Sequence, residues 1–267
     1  MFLKNKLEFL NFFLSKFKGK SYREIDKKHI KNIISLFKPY EVNIPLIRIG
    51  SENDGGYLLP NILDKLNYCF SPGVGNKSDF EKDLEKFGIK SFLADKSVDK
   101  PATKLKNFQF DKTNIHSFNS LNKKNINDWI FSKINKNQID QSILQIDTDG
   151  FEYEMIFSLS EEILSKIKIL IIEFHGLEFI GNEYFANIVN STVEKIKEYH
   201  TVAHIHPNNC CGIHEVGGYK IPSVLEVTFI NNDIFNTKYE VSSLPNVLDN
   251  KNVKKNNDIK LHEYWFK

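Results

Sequence analysis

Short apolar runs alternate with amphipathic stretches along most of the chain, and this alternation predicts an α/β fold. The amphipathic stretches have helical periodicity and polar outer faces. Such repeated units build a mostly parallel sheet with helices packed against it. We predict seven strands, at Tyr68–Ser71, Ser91–Ala94, Asn107–Phe110, Ile143–Ile146, Ile167–Glu173, Thr201–Ile205 and Val224–Ile230.

Helix start and stop signals lie between the predicted strands and before them. Ser78 is positioned to cap a helix that ends at Gly88. Further helices are predicted at Lys27–Phe37, Glu152–Leu164 and Glu183–Tyr199. The segment RIGSENDGGYLLP, which precedes the first strand, is rich in turn formers and polar groups. It belongs either to a ligand site or to a lid over one.

The N-terminal segment has its own amphipathic pattern. Apolar residues recur at helical spacing among lysines, at Leu3, Leu7, Leu10, Leu14 and Phe17. We favour a helix that docks on its own core or on a second subunit; the alternatives are contact with an anionic membrane surface and disorder. Charged residues interrupt the apolar run and no small-residue cleavage site follows, so we expect the segment to be retained.

No long Pro, Gly or Ser linker interrupts the strand and helix pattern. We therefore predict a catalytic domain over residues 46–235, a helical extension over 1–45 and a C-terminal tail over 236–267 that packs on the same domain or frays. The sequence leaves the oligomeric state open, and a homo-oligomer is one alternative.

Composition and charge exclude several classes of protein. The 267 residues are 41% hydrophobic and 26% charged, as in an ordinary globular protein, and the formal net charge is +2. That charge gives no field strong enough to hold a nucleic acid. No run is long enough for a membrane-spanning helix. Cys210 and Cys211 are adjacent and could not easily bridge each other, so three cysteines indicate a reducing, cytoplasmic setting.

The end of the first predicted strand carries a candidate cofactor site. Gly73 and Gly75 allow a tight turn that approaches a ligand, and Asp95 ends the second strand about 20 residues later, where nucleoside-binding folds keep an acid for ribose hydroxyls. Ser78 stands where a dinucleotide motif has its third glycine. This spacing favours a nucleoside with an uncharged link over NAD, but both remain open.

The fourth strand is followed by three acids around Gly150, namely Asp147, Asp149 and Glu152. Acids so close repel one another unless a cation lies among them. That cation could be a sulfonium, a divalent metal or the positive end of the following helix. Asp149 is one candidate metal ligand, and Glu173, at the end of the fifth strand, is the other.

The fifth and sixth strands also end in polar residues, which we expect to converge on the same edge of the sheet. Alternation places His204 and His206 on one face. Together the groups could form a metal site or supply a general base for a hydroxyl. The set comprises Glu173, His175, His204, His206, Asn208 and Asn209.

The chain resembles the FkbM-type methyltransferases, a branch of the class I S-adenosylmethionine-dependent enzymes, from about residue 48 to 230. The resemblance rests on ordered blocks: DGGYLL, FSPGVGNKSDFE, FLADKSVD, LQIDTDGFEYE, IIEFHGLE, HIHPNNC and IPSVLEVTF. It implies a Rossmann-like α/β fold with a seven-stranded, mostly parallel sheet, and an O-methyltransferase that acts on a sugar or related metabolite, often in polysaccharide or glycoconjugate pathways.

The resemblance also implies roles for particular residues. S-adenosylmethionine would be held by Ser71, Gly73, Gly75, Asp95 and Asp147. A small-molecule or glycan acceptor would face Glu173, His175, His206, Asn208 and Asn209. Our own mechanistic hypothesis is that His175 or His206 takes the proton, while Asp147 and Asp149 steady the sulfonium or a divalent ion.

Two positions depart from the family pattern. Ser71 stands where class I enzymes usually have an acid, and Asp149 where the family tends to have a glutamate. These departures keep open a non-catalytic, cofactor-binding scaffold of the same fold. An NAD-dependent sugar oxidoreductase is the third alternative, and neither the acceptor nor the methylated oxygen can be read from the sequence.

Overall fold

A seven-stranded sheet forms the centre of the structure, a computed structural model that describes residues 25–267. Its strands lie side by side in the order β11 (His200–Pro207), β14 (Val224–Asn231), β10 (Ile169–His175), β9 (Ser142–Ile146), β4 (Tyr68–Pro72), β5 (Lys90–Ala94) and β6 (Phe108–Asp111). All seven predicted strands are present in it, so the predicted Rossmann-like α/β fold is confirmed.

Strand direction gives the sheet a single functional edge. β14 runs antiparallel to both of its neighbours, whereas the pairs among β10, β9, β4, β5 and β6 are parallel. β11 is antiparallel to β14 and therefore runs the same way as β10. The carboxyl ends of these six strands lie at one edge, where ligands bind in open α/β sheets.

Helices cover the sheet and connect its strands. They are α1 (Lys27–Leu36), α2 (Asp79–Leu84), α3 (Ile126–Phe131), α4 (Glu152–Ser158), α5 (Glu161–Leu164) and α6 (Glu183–Lys197). The predicted helix Glu152–Leu164 is wrong in one respect, because the chain becomes extended at Leu159 and separates α4 from α5.

The helix signals predicted around α2 are confirmed in position at both ends, since Ser78 is its N-cap residue, but the Ser78 side chain makes no capping hydrogen bond. Gly88, with φ of +77°, closes the helical segment as predicted. Ser78 precedes α2, but its hydroxyl accepts a hydrogen bond from the backbone nitrogen of Thr103 and makes none to the helix. Ser78 therefore ties a distant loop to the start of α2.

The two largest of the three apolar clusters among residues 25–267 lie on opposite faces of the sheet. The larger contains Phe70, Trp129 and Phe174 and is covered by most of the helices. The smaller contains Leu59 and Phe80 and lies beneath α2. Each large apolar side chain that is fully buried stabilises the fold by about 1.5 to 3 kcal/mol.

The turn-rich segment before β4 is a β-hairpin, which the sequence pattern did not predict. Strands β2 (Leu46–Gly50) and β3 (Gly56–Pro60) pair antiparallel. The hydroxyl of Thr228 donates a hydrogen bond of 2.7 Å to the carbonyl of Leu58, so the hairpin lies over β14. The glycines that suggested a loop form the hairpin turn.

Three further strand pairs lie outside the central sheet. β1 (Tyr40–Val42) pairs with β15 (Lys238–Glu240), β7 (Asn114–His116) with β8 (Lys123–Asn125), and β12 (Ile213–Val216) with β13 (Tyr219–Pro222). The β1–β15 pair joins the predicted N-terminal extension to the predicted tail. Trp265 near the end of the tail is buried beside Phe37.

The structure bears on three predictions, which concern the N-terminal helix, membrane-spanning helices and the adjacent cysteines. The amphipathic helix predicted around Leu3 to Phe17 lies outside the described residues. No helix in the range 25–267 is long and apolar enough to cross a bilayer. Cys210 and Cys211 form a disulfide, so the expectation that adjacent cysteines would not bridge is wrong. Their Cα atoms are 3.8 Å apart because the residues are neighbours in the chain.

Candidate active site

A row of ionisable side chains crosses the carboxyl edge of the sheet. Glu173 on β10 lies directly opposite Glu226 on β14, and Glu226 lies directly opposite His206 on β11. Asp147 continues the row beside Glu173, because β9 and β10 pair in register up to the preceding residue. Directly paired residues share one face of a sheet. The four side chains therefore line one face, the face that the hairpin covers.

Burial makes the charged forms of the carboxyl groups in this row energetically unfavourable. Burial and the neighbouring Glu173 raise the pKa of Asp147 well above its ordinary value. Burial also raises the pKa of Glu173, although His175 opposes the shift. Burial, opposed by His206, raises the pKa of Glu226 to about 7. The row consequently holds protons at neutral pH or attracts a positively charged partner.

His175 lies among several of these carboxylates. Its Nε2 is 3.7 Å from Glu173 and 3.9 Å from Asp149, and its Nδ1 is 3.4 Å from Glu152. Burial alone would lower the pKa of His175, but Glu152 and then Glu173 and Asp147 raise it well above its usual value. A protonated His175 therefore serves as an internal counter-ion for the acids.

The turn after β9 is fixed by Glu152, which is fully buried. One carboxylate oxygen accepts a hydrogen bond from the backbone nitrogen of Gly150 and the other from that of His175, both at 2.8 Å. Asp149, with φ of +50°, and Gly150, with φ of +106°, turn through the left-handed region. Glu152 thus ties this turn to the end of β10.

The glycine turn after β4 packs against the backbone of Asp147 and is hydrogen bonded by Asp95. A Cβ on Gly73, where φ is +87°, would lie 1.9 Å from the carbonyl oxygen of Asp147. The position of a Cβ on Gly75 has no atom within 4 Å and is open. Asp95 accepts hydrogen bonds from the backbone nitrogens of Gly75, at 2.8 Å, and Ser97, at 2.6 Å. The predicted glycines and acid therefore come together.

Ser71 lies under this turn and is not exposed. Its hydroxyl is 3.5 Å from the sulfur of Cys69, and it opposes the rise that burial causes in the pKa of Glu81. Glu81 comes from α2 and is itself buried, and burial raises the pKa of its carboxyl group. The acid beneath the turn is therefore Glu81, a residue that our sequence prediction missed.

The DGG block of the hairpin lies at the site. The amide nitrogen of Asn208 donates to Glu173 at 2.6 Å and to Asp54 at 3.3 Å. Asp54 also forms an ion pair of 2.5 Å with Lys77. Asn208 thus joins the end of β11 to the hairpin and to the ionisable row.

The two candidate metal ligands fall in different groups. Ligand atoms of Asp147, Asp149 and His175 lie within 4.8 Å of one another, as do those of Asp54, Glu173 and Glu226. Carboxylate oxygens with one imidazole nitrogen can hold a transition-metal ion, and a set of carboxylates alone suits a harder cation. The divalent metal remains a prediction, and Asp149 and Glu173 would not share one ion.

The C-terminal tail reaches the predicted histidines. Asp249 lies 2.8 Å from Nε2 of His204 and 3.7 Å from Nδ1 of His206. His204 and His206 therefore face the same carboxylate, in keeping with their predicted alternation. Asn209 does not join the row, because its side chain hydrogen bonds with the backbone of Val253 and Asn257 in the tail.

Tyr57, from the DGGYLL block that the sequence assigned to the cofactor site or to a lid over it, also contacts the site. Its hydroxyl accepts a hydrogen bond of 3.2 Å from the amide of Gln145. Burial, followed by Asp147 and Glu173, raises the pKa of the phenol well above its usual value. The DGGY block was a usable signal for Tyr57, whereas nothing in the weakly patterned tail pointed to Asp249.

An open α/β sheet with a glycine turn, an acid after the second strand and an ionisable row at its carboxyl edge is typical of nucleoside-binding enzymes. More specifically, residues 58–199 match the family model of the methyltransferase FkbM domain, and the chain belongs to that family. The protein is therefore a methyltransferase. No curated protein gives a significant match. The matched range contains Asp95, Asp147 and His175, whereas His206 and Asn208 lie beyond it.

Proposed function

We propose that this methyltransferase uses S-adenosylmethionine to O-methylate a sugar or a related hydroxylated metabolite in polysaccharide or glycoconjugate biosynthesis. The observation that supports the proposal best is the position of the Gly73–Gly75 turn. It opens at the same edge of the sheet as the ionisable row, and Gly73 packs against the backbone of Asp147. A cofactor in the turn would thus be adjacent to an acceptor on the row.

The residues of the turn fit the proposed cofactor. S-adenosylmethionine supplies the methyl group when it is bound. The open backbone at Gly75 would lie against its uncharged link, and Asp95 would hold the ribose hydroxyls. A carboxylate can accept about four hydrogen bonds, so the two bonds that Asp95 already accepts leave capacity for a ligand. Asp147 and the protonated His175 would set the charge beside the cofactor.

The ionisable row suits a hydroxyl acceptor. Glu173 and Asn208 offer hydrogen-bonding groups of the kind that recognise sugar hydroxyls. A hydroxyl has a pKa far above neutral, so its proton needs a base during transfer. Although burial opposes the shift, nearby acids raise the pKa of both His175 and His206. Nδ1 of His175 lies 3.1 Å from the backbone carbonyl oxygen of Glu173, whereas neither ring nitrogen of His206 has a hydrogen-bond partner among residues 25–267. We therefore assign the base to His206.

A transfer assay tests this proposal. The full chain is incubated with methyl-labelled S-adenosylmethionine and a panel of monosaccharides, sugar nucleotides and oligosaccharides. We expect label in at least one acceptor, a loss of about 100-fold or more in His206→Ala, and parent activity in the exposed control His214→Ala.

Two results would contradict parts of the proposal. Parent activity in both His175→Ala and His206→Ala would exclude a histidine base. Failure of the folded parent both to bind the cofactor and to label any acceptor would reject the function itself. The metal is tested separately, because full activity after exhaustive chelation would exclude a divalent ion.

A further inference from the structure

The C-terminal tail holds one buried carboxylate against two histidines. The side chain of Asp249 is 5% exposed, and Oδ1 contacts both His204 and His206. Its other oxygen accepts a hydrogen bond of 2.8 Å from the backbone nitrogen of Asn246. The carboxylate is therefore fixed both by its own loop and by β11.

We propose that Asp249 is a positioning residue for methyl transfer. Its carboxylate turns Nδ1 of His206 toward the tail and leaves Nε2 to take the proton of the acceptor hydroxyl. This inference rests on the proposed function, in which His206 is the base. A carboxylate beside an imidazole fixes both the orientation of the ring and the nitrogen that carries its proton.

The surroundings of His206 support this role. The residue is 7% exposed, and neither of its ring nitrogens has a hydrogen-bond partner in the described part of the chain. A buried polar group without a partner is costly, so a retained one indicates a function. The 3.7 Å contact with Asp249 is longer than a hydrogen bond. Such contacts commonly tighten when substrate binds.

Several other charged or titratable groups lie around His206. Glu226 is its partner on β14, and Asp258 of the tail acts on it electrostatically. Arg48 and Tyr57 of the hairpin line the same small cavity. The carboxylates that line this cavity with His206 are those of Glu226 and Asp249. Glu226 is bound by Asn252, whereas Oδ1 of Asp249, which Nε2 of His204 also contacts at 2.8 Å, lies 3.7 Å from Nδ1 of His206. This direct contact makes Asp249 the group placed to orient the ring.

A purely structural role for Asp249 makes a different prediction. The tail has other anchors, because Asn256 donates a hydrogen bond of 2.8 Å to the carbonyl of Asn209 and Trp265 is buried. If Asp249 only fastened the tail, loss of another anchor would have the same effect. Asn256→Ala removes such an anchor and has no hydrogen bond to either histidine, so it is the matched control.

The experiment compares the full-length parent, Asp249→Asn and Asn256→Ala. S-adenosylhomocysteine affinity, kcat and acceptor KM are measured for each. We expect Asp249→Asn to lower kcat about 10- to 100-fold, with KM and cofactor affinity within about twofold of the parent, and Asn256→Ala to retain the parent kcat. Equal loss in both variants, or an unchanged kcat in Asp249→Asn, would overturn the proposal.

Nitrogen-15 NMR of the histidine rings gives a readout that does not need turnover. The His206 signals are assigned by their absence in His206→Ala and recorded where the ring is neutral. We expect the proton on Nδ1 in the parent and a mixture of tautomers in Asp249→Asn. If Asp249→Asn does not fold, the parent spectrum decides, and a proton on Nε2 or an even mixture would overturn the inference. If the spectrum shows the proton fixed on Nδ1 but no acceptor is methylated, the proposed function has failed, whereas the orientation of the His206 ring by Asp249 has not.

Discussion

The carboxylates of Glu173 and Glu226 lie directly opposite each other on adjacent strands, and each is held by an amide. Glu173 accepts a hydrogen bond from Asn208 at 2.6 Å, and Glu226 accepts one from Asn252 at 2.5 Å. Facing acids destabilise a sheet pair. Their retention in a buried, hydrogen-bonded arrangement is typical of a functional site that lowers stability.

Glu226 makes the free energy of unfolding depend on pH. Its pKa rises from 4.5 to about 7 on folding, so the folded state binds the proton more tightly than the unfolded state. The free energy of unfolding should fall as pH rises from 4.5 to 7, by about 3 kcal/mol from this group. Glu226→Gln should remove that loss and be more stable than the parent at pH 8.

Urea denaturation of both chains at pH 5 and pH 8 measures this effect. The exposed change Glu215→Gln is the control and should leave the pH dependence as in the parent. A Glu226→Gln chain that loses as much stability as the parent between the two pH values would show that Glu226 is not the group responsible.

The two glycines of the cofactor turn should respond differently to alanine. Gly73→Ala brings a Cβ to 1.9 Å from the carbonyl oxygen of Asp147, a backbone atom that cannot rotate away, and we expect a loss of at least about 2 kcal/mol in stability. Gly75→Ala points into open space, so the strain of φ +54° should cost only about 1 kcal/mol.

Binding of S-adenosylhomocysteine then separates an effect of the turn on stability from an effect on cofactor binding. Gly75→Ala should fold but bind at least tenfold more weakly, because its methyl group would occupy the space that we assign to the cofactor. Tight binding by folded Gly75→Ala would place the cofactor elsewhere.

The tail should contribute strongly to stability through Trp265. This side chain is 1% exposed and lies 6.2 Å from Phe37, centroid to centroid. Trp265→Ala should lower the free energy of unfolding by about 3 to 5 kcal/mol. Tyr184→Ala, at an aromatic residue that is 70% exposed, should change it by less than about 1 kcal/mol. Similar small losses in both variants would show that the tail is only loosely attached.

Much of the fold could be predicted because buried strands leave a clear signal. The strands around Ile143 and Ile169 are apolar on both faces, and such runs indicate a sheet covered on both sides. The hairpin of β2 and β3 was missed because Gly55 in its turn and Gly56 at the start of β3 are also what a loop would contain.

The site residues that could be predicted from the sequence are those at the ends of strands. Glu173 and His206 follow apolar runs, and parallel strands bring their ends together. Asp249 and Glu81 were missed because a tail with little periodicity and a helix of mixed polarity carry no local sign of what they contact. Asn209, predicted beside Asn208, bonds to the tail, because both residues follow the end of β11 and strand periodicity no longer fixes which way their side chains point.

We propose that the Gly73–Gly75 turn and Asp95 hold S-adenosylmethionine. This cofactor site is tested by calorimetric titration of the parent, Asp95→Ala and Asp99→Ala with S-adenosylmethionine and S-adenosylhomocysteine. Asp99 is a nearby acid whose side chain is 86% exposed and which pairs with Lys112, so it controls for loss of charge. We predict micromolar binding by the parent and by Asp99→Ala, and at least tenfold weaker binding by Asp95→Ala. Absence of binding to the folded parent, or equal binding by all three chains, would contradict the account.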